Sequence, residues 1–279
     1  MSTDIPRIPL AGVVGAPVTY SRSPFLFRHW LDQYDLPGHY VPLHVGNDDL
    51  ETVLRTLPRM GFVGVNVTIP HKVSVMSLAH IVTDRATLIG AANTLIFRED
   101  GTIHADNTDG FGFIENLRQS VPDWTASAGP AVVLGAGGAA RAVIASLLDA
   151  GVPQIILSNR SRSKADALAE EFGKRIRVVE WVQAAAVLAE GATVVNTTSL
   201  GMTGKEDMKI NLDGFHSGQL VTDIVYTPLR TAFLNAAEAA GCQTVDGLGM
   251  LLYQAVPGFE RWFGQKPVVT EATRQAVLA

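Results

Sequence analysis

Ala131-Val132-Val133-Leu134-Gly135-Ala136-Gly137-Gly138-Ala139-Ala140 decides the fold class of this chain. Four apolar residues in a row, bounded by glycines, read as a strand buried on both faces. Ala139 to Ala150 follows as a helix closed by Gly151. At a strand-to-helix junction glycine lets the backbone approach a pyrophosphate, and the helix N-terminus favours the negative charge. The spacing departs from strict G-x-G-x-x-G, with Ala140 at the third glycine position, where alanine is an allowed variant. A ligand-free tight turn is the plain alternative, and the strands on either side weigh against it.

Outward from the loop the pattern continues. Gln154 to Ser158, Arg177 to Val179, Thr193 to Asn196 and Leu220 to Val225 read as strands, and Lys164 to Phe172 as a helix. This β-α-β-α-β order predicts a parallel, doubly wound sheet. The second strand runs into Asn159-Arg160-Ser161-Arg162-Ser163-Lys164. A site for NAD usually carries Asp or Glu there for the ribose 2′-hydroxyl. Here no carboxylate occurs before Asp166. Arg160 suits a 2′-phosphate, with Ser161 and Lys164 as further donors, so the loop predicts NADP rather than NAD. Whether Arg162 or Lys164 faces the phosphate stays open, and a solvated basic turn is the other reading.

Upstream lies a second α/β region. Leu10 to Gly15, Tyr40 to Val45 and Phe62 to Val67 read as strands. Pro24 to Tyr34 reads as a helix, Asp48 to Met60 as a helix capped by Asn47 or Asp48, and His71 to Ala79 as a helix entered through Pro70. Thr94 to Phe97 and Thr102 to Ala105 flank Asp100-Gly101, a hairpin signal. Val121 to Pro130 is loop-like, and Leu248 to Phe263 and Thr270 to Leu278 are closing helices. The expected organisation is residues 1–108 plus 248–279 as one domain and 109–247 as the other.

Three polar groups fall at the strand ends of the first region. Ser21-Arg22-Ser23-Pro24 offers two hydroxyls for a carboxylate or hydroxyl ligand, or an N-cap at Ser23. In Asn66-Val67-Thr68-Ile69-Pro70-His71-Lys72 the lysine stands at an expected helix start, against the dipole, a locally unfavourable choice of the kind function imposes. A surface lysine is the alternative. Asn107-Thr108-Asp109-Gly110 offers Asp109 as an N-cap or as an acid/base partner for Lys72. A Lys-Asp pair suits carbonyl reduction, where hydride delivery at carbon needs a proton at oxygen. The seven histidines lack metal-ligand spacing, and no metal site is expected.

Composition narrows the classes. In 279 residues, 47% are hydrophobic and 18% charged, which excludes disorder of the whole chain. Lys plus Arg number 22 against 27 Asp plus Glu, a net charge of -5, so no broad nucleic-acid-binding face is expected. The lone Cys242 cannot form an intramolecular disulfide and reads as a small buried apolar residue. No stretch approaches the roughly 20 apolar residues of a membrane span. Ile8 to Val18 follows Arg7 but is preceded by Asp4 and interrupted by prolines (Pro6 lies just upstream), so no signal peptide is expected and a cytoplasmic protein is.

Eight motifs together resemble one family, the shikimate dehydrogenases. They are Ser21–Pro24, Asn66–Lys72, Gly90-Ala91-Ala92-Asn93-Thr94, Asn107–Gly110, the Gly135 loop, Asn159-Arg160-Ser161, Asn196-Thr197-Thr198-Ser199-Leu200-Gly201-Met202 and Asp246-Gly247-Leu248-Gly249-Met250. The resemblance runs from Gly15 to about Gln254. It implies NADP-dependent, reversible reduction of 3-dehydroshikimate to shikimate, with an N-terminal substrate-binding domain, a Rossmann-type domain, C-terminal helices returning to the first domain, and an interdomain active site. It implies Lys72 as acid/base residue with Asp109 its partner. Ser21, Ser23, Thr68, Asn93, Asp109, Tyr226 and Gln254 would hold the substrate. Gly135, Ala136, Gly137, Gly138 and Ala139 would take the pyrophosphate, and Asn159, Arg160, Ser161 and Lys164 the adenosine phosphate. Thr197, Ser199, Ile224, Gly247 and Met250 would line the nicotinamide side.

One departure stands out. The family usually places His-Asn shortly after Ser-x-Ser-Pro, and this chain has Phe27-Arg28, followed by His29, which puts the support of the serine loop in question. The rival readings are a quinate/shikimate dehydrogenase using NAD or NADP, and a non-catalytic NADP-sensing module. Retention of both Lys72 and Asp109 argues against the second. A monomer or homodimer acting on a small molecule is expected.

Overall fold

The structure, a computed structural model, describes residues 8–279; Asp4, Pro6 and Arg7, used above in reading the N-terminus, lie outside the described residues. In chain order the first elements are β1 (Leu10–Gly15), α1 (Ser23–Gln33), β2 (His39–His44), α2 (Leu50–Thr56), β3 (Phe62–Val67), β4 (Ile81–Val82), α3 (Asp84–Ile89), β5 (Thr94–Phe97) and β6 (Ile103–Asp106). Then follow α4 (Asp109–Ser120), β7 (Ala131–Leu134), α5 (Gly138–Asp149), β8 (Ile155–Asn159), α6 (Arg162–Phe172), β9 (Ile176–Glu180), α7 (Ala184–Val187), β10 (Thr193–Asn196), β11 (Leu220–Asp223), α8 (Ala232–Ala239), β12 (Gln243–Val245), α9 (Leu248–Phe263) and α10 (Glu271–Leu278). The described residues form two units, those up to 108 with 254–279, and 109–253, so the second boundary falls inside α9.

The first unit is built on a six-stranded sheet in the order β2-β1-β3-β5-β6-β4. β1, β2 and β3 run parallel, while β5 is antiparallel to β3 and to β6. One face buries Val14, Leu54, Val65, Leu95 and Ala105. Elsewhere in the unit Phe27 and Trp30 of α1 meet Phe259 of α9 at ring-centroid distances of 5.7 and 5.3 Å. The C-terminal segment is fastened within this unit: Trp262 Nε1 donates to the Leu95 carbonyl at 3.2 Å, and α10 packs on α1.

The second unit is a six-stranded, all-parallel sheet in the order β12-β11-β10-β7-β8-β9. Along β7 the side chains alternate, Ala131 and Val133 to one core and Val132 and Leu134 to the other. The first core is closed by Phe113 and Leu117 of α4, Ile144 and Leu147 of α5 and Leu168 of α6. The second is closed by Val187 of α7, Phe233 and Leu234 of α8, and Cys242. This is the doubly wound order that reverses beside the first strand, and ligands bind outside the carboxyl ends of the strands at that reversal. Here the reversal lies between β7 and β10.

Some expectations are corrected. His71 to Ala79 does not form a helix starting at Pro70. The His71 N–H closes a turn onto Thr68 O at 3.0 Å, the Lys72 carbonyl accepts from Ala92 N–H at 2.8 Å, and only a 3₁₀ turn, Ser74–Leu78, follows. Lys72 therefore opposes no helix dipole. Ser23 is the first residue of α1 rather than its cap; the N-cap is Arg22, with no side-chain capping bond. Neither Asn47 nor Asp48 caps α2, whose N-cap is Asp49, and the helix tightens to a 3₁₀ turn at Leu57 before Pro58. Asp109 opens α4 from within as its first residue. Three helices lie outside the sequence expectations, α3, α7 and α8, although α3 and α8 each start at a threonine whose hydroxyl accepts the third helical N–H, Thr83 from Ala86 and Thr231 from Leu234.

Candidate functional site

In the first unit the polar groups gather at the carboxyl ends of β1 and β3. The Thr68 N–H donates to Val14 O at 2.9 Å, and the Val67 N–H to Asn93 O at 2.8 Å. Thr68, Lys72 and Asn93 are thereby fixed on adjoining backbone, since Ala92 holds the Lys72 carbonyl. Asn93 is buried, and its side chain is fully engaged. Its Oδ1 accepts from the Thr108 N–H at 2.8 Å and from the Thr94 hydroxyl at 3.0 Å. Its Nδ2 donates to Thr108 Oγ1 and to Gln254 Oε1, both at 3.0 Å. The fold thus brings together Thr68, Lys72, Asn93 and Gln254, the last from 161 residues away.

The serine loop joins this group through Tyr40, a residue the sequence pattern marked only as strand. The Ser23 N–H donates to Ser21 Oγ at 3.3 Å. Tyr40 hydrogen-bonds the Ser23 side chain, and its hydroxyl donates to Asn66 Oδ1 at 2.8 Å. Asn66 Nδ2 in turn reaches Asn93 O and Thr94 Oγ1. Burial pushes the Tyr40 hydroxyl well above its ordinary pKa, so it remains a donor. Phe27 stacks on Tyr40 with ring centroids 3.9 Å apart and planes 15° apart. The residue that departs from the family pattern is therefore part of the packing that fixes Tyr40, while Arg28 is exposed and pairs with Asp32.

His71, beside Lys72, is fully buried, and its Nε2 lies 2.7 Å from Val45 O. A carbonyl accepts only, so Nε2 is the donor in this bond, and Nδ1 is buried with no hydrogen-bond partner. The Asp106 carboxylate, also buried, takes Arg85 Nη2 at 2.6 Å and the Thr83 hydroxyl at 2.8 Å, and it holds the Asn107 N–H at 2.7 Å. That carboxylate fixes the segment leading to Thr108.

The second unit carries Asp109 and the cofactor-type residues. Gly135 has φ +110°, and a Cβ there would lie 2.6 Å from Thr197 Oγ1, so both backbone and space require glycine. Thr197 is locked in turn, its hydroxyl donating to Leu134 O at 2.8 Å. Gly137 and Gly138 differ: a Cβ on either meets nothing within 4 Å. The opening of α5 is exposed there, and its N-cap Gly137 has no side chain to take the first N–H groups. A loop with open space at two glycines, uncapped amides and a helix behind it fits a pyrophosphate.

Asn159 couples this loop to the cationic one. Its Oδ1 accepts from the Ala136 N–H at 3.2 Å and its Nδ2 donates to Ser161 O at 2.8 Å. Arg160, Ser161 and Lys164 are exposed. Arg162 is held by carboxylates, Nη1 to Glu180 at 2.6 Å and Nε to Asp166 at 3.3 Å. Of the two cations left open by sequence, Lys164 is thus the one without a carboxylate partner among the described residues. Glu180 had no signal in sequence, because only the β8–β9 pairing brings it beside Asn159.

At the ends of β10 and β11, Asn196 Oδ1 accepts from the N–H and hydroxyl of Thr198, and Asn196 Nδ2 donates to Asp223 Oδ1 at 3.0 Å. Asp223 also accepts from the Val225 N–H and the Thr231 hydroxyl. This network shapes the segments that carry Thr197, Ser199, Ile224 and Tyr226. Gly247 lies so close to the Ile224 backbone that a Cβ would overlap it. Met250 belongs to the apolar core. Among the described residues no group of three or more His, Cys, Asp or Glu could hold a metal, and no helix is long and apolar enough to cross a membrane.

Fold and loops define a dinucleotide-binding α/β protein with a second α/β unit bearing a polar network around buried Asn93. Residues 13–95 match the family described as the shikimate dehydrogenase substrate binding domain, residues 117–226 the shikimate/quinate 5-dehydrogenase family, and residues 247–278 the shikimate 5′-dehydrogenase C-terminal domain. The chain belongs to the shikimate dehydrogenase family. It is 65% identical to a shikimate dehydrogenase (NADP(+)) of Cereibacter sphaeroides over 99% of either chain. Among solved structures it resembles shikimate 5-dehydrogenase of Thermus thermophilus in complex with NADP(H) and shikimate, with 34% identity, a TM-score of 0.86 and coverage of 96% of this chain and 98% of that one. It also resembles quinate dehydrogenase of Corynebacterium glutamicum in complex with NAD, with 30% identity, a TM-score of 0.89 and coverage of 96% and 98%.

Proposed function

We propose that this chain is an NADP-dependent oxidoreductase that reversibly reduces 3-dehydroshikimate to shikimate. The observation that carries the reading is the gathering of Thr68, Lys72, Asn93 and Gln254 at one end of the first sheet, in a chain whose full-length relatives bear that activity in their names. The first unit then serves as the substrate domain. Ser21, Ser23, Thr68, Asn93, Asp109, Tyr226 and Gln254 orient the carboxylate and hydroxyls of the substrate. Gly135 to Ala139 hold the pyrophosphate, Asn159, Arg160, Ser161 and Lys164 the adenosine 2′-phosphate, and Thr197, Ser199, Ile224, Gly247 and Met250 the nicotinamide side.

NADPH, when bound, supplies the hydride that the carbonyl carbon receives. Lys72 then delivers a proton to the oxygen that gains negative charge, and takes it back in the reverse direction. Asp109 takes the part of its acid/base partner, as the family resemblance implies. The chain works in the cytoplasm on a small molecule, as a monomer or homodimer.

A second reading is a quinate/shikimate dehydrogenase using NAD or NADP, which the likeness to the Corynebacterium glutamicum enzyme favours. Exposed Arg160 and Lys164 support the first reading over it. The test is absorbance of reduced nicotinamide with shikimate or quinate, each with NADP or NAD. Rapid turnover of shikimate with NADP alone is expected. Turnover of quinate with NAD would replace the first reading with the second, and no turnover with any pair would overturn both.

A further inference from the structure

β8 and β9 are parallel neighbours, and Asn159 pairs in register with Glu180. Glu180 therefore stands at the strand end beside the one from which the cationic loop leaves. Asp166 lies one turn into α6, so the fold flanks this loop with two carboxylates. A carboxylate in that neighbourhood suits a free ribose hydroxyl and repels a 2′-phosphate. One side chain engages both. Arg162 Nη1 donates to Glu180 Oε1 at 2.6 Å, and Nε lies 3.3 and 3.4 Å from the two Asp166 oxygens. The hydrogen bond to Glu180, then the charge of Asp166, raise the guanidinium above its ordinary pKa. Arg160 and Lys164 make no ion pair with a carboxylate among the described residues.

We propose that Arg162 is a positioning residue for cofactor choice: by pairing with Glu180 and Asp166 and cancelling one of their two charges it leaves Arg160 and Lys164 to a 2′-phosphate, and so sets the preference for a 2′-phosphorylated dinucleotide. The inference rests on the NADP reading above and deepens it. An exposed ion pair contributes little to folding. Its effect on a dianion bound beside it is larger, because removing Arg162 leaves two uncompensated negative charges next to the phosphate. At low salt that repulsion weakens binding roughly tenfold, and salt screens it.

The test is equilibrium binding by titration calorimetry at low ionic strength, with NADP, NAD and adenosine 2′,5′-bisphosphate as probes. Arg162→Ala is expected to weaken NADP and the bisphosphate about tenfold and to leave NAD within about twofold. Adding Glu180→Gln to that variant is expected to recover most of the loss. Glu180→Gln alone, which leaves Arg162 in place, is expected to bind NADP at least as tightly as the parent. Equal losses for NADP and NAD, or no recovery in the double variant, would overturn the inference, since Arg162 would then only hold the loop or touch the phosphate itself. Arg160→Ala separates the two levels. If it weakens NADP while Arg162→Ala does not, this inference alone fails. If it leaves NADP binding unchanged, the loop is not the phosphate site and both fall.

Discussion

The backbone at Lys72 is fixed by its carbonyl, which Ala92 holds, and by buried His71 beside it. The proposed role asks for a proton at one atom of the substrate, an effect typically worth 10²–10⁴-fold. Lys72→Ala should therefore lower kcat by at least about a hundredfold while the Kd for NADP stays within about twofold. Rapid-mixing turnover and calorimetry measure the two quantities separately, and an undiminished kcat removes the proton-transfer role. Phe27 is a different kind of residue. It is fully buried and stacked on Tyr40, whose hydroxyl holds Asn66 and whose other partner is Ser23. Phe27→Ala should cost about 3–5 kcal/mol in urea unfolding, as a buried aromatic truncation does. It should also raise KM for shikimate more than it lowers kcat, because Tyr40 loses its support. A cost below about 1 kcal/mol would show that the ring is not part of the core.

At the scale of elements, the loop between β7 and α5 separates two kinds of glycine. Gly135 is required by its left-handed φ and by Thr197. Gly137 has φ -95° and open space, so nothing in the protein itself demands glycine there. Gly137→Ala should leave the melting temperature within about 2 °C yet weaken NADP more than tenfold, because the added methyl occupies the space of the pyrophosphate. Gly135→Ala should cost stability instead, by about 1–3 kcal/mol. If Gly137→Ala binds NADP normally, the loop does not take the pyrophosphate. The same loop shows why part of the fold was legible. A run of apolar residues, glycines at a strand end and the full span of α9 are local signals, and local signals survive in one dimension. What was not legible depends on register or on distant contacts. Glu180 reaches the cationic loop only through the β8–β9 pairing, Gln254 reaches Asn93 only through the return of the C-terminal segment to the first unit, and Tyr40 joins the serines to Asn66 only across β2, β1 and β3. The misread helix after Pro70 has a similar cause, since Ala92, not a helical neighbour, takes the Lys72 carbonyl.

Stability of the molecule as a whole carries a signature of one buried carboxylate. Asp223 ends β11, and burial raises its pKa to about 6 from 3.8, against the hydrogen bonds from Val225, Thr231 and Asn196 that lower it. Between those two values the folded state binds a proton that the unfolded chain has released. The contribution of Asp223 to stability is therefore greatest below about pH 4 and is lost as pH rises through 6. At 1.36 kcal/mol per pKa unit the change is on the order of 3 kcal/mol. Other carboxylates shift stability in the opposite sense when ion pairs hold them, so the effect is visible only as a difference between two proteins. Asp223→Asn is the suitable partner. Its Oδ1 can keep the bonds from Asn196 and Val225, and its Nδ2 can donate to the Thr231 hydroxyl, so the segments bearing Thr197 and Tyr226 keep their support. The variant should gain on the parent by on the order of 3 kcal/mol as pH is raised from about 4 to about 7, followed by urea unfolding at each pH. Parallel stability curves over that range would mean that Asp223 ionises at an ordinary pKa and that its burial is compensated by the three donors around it.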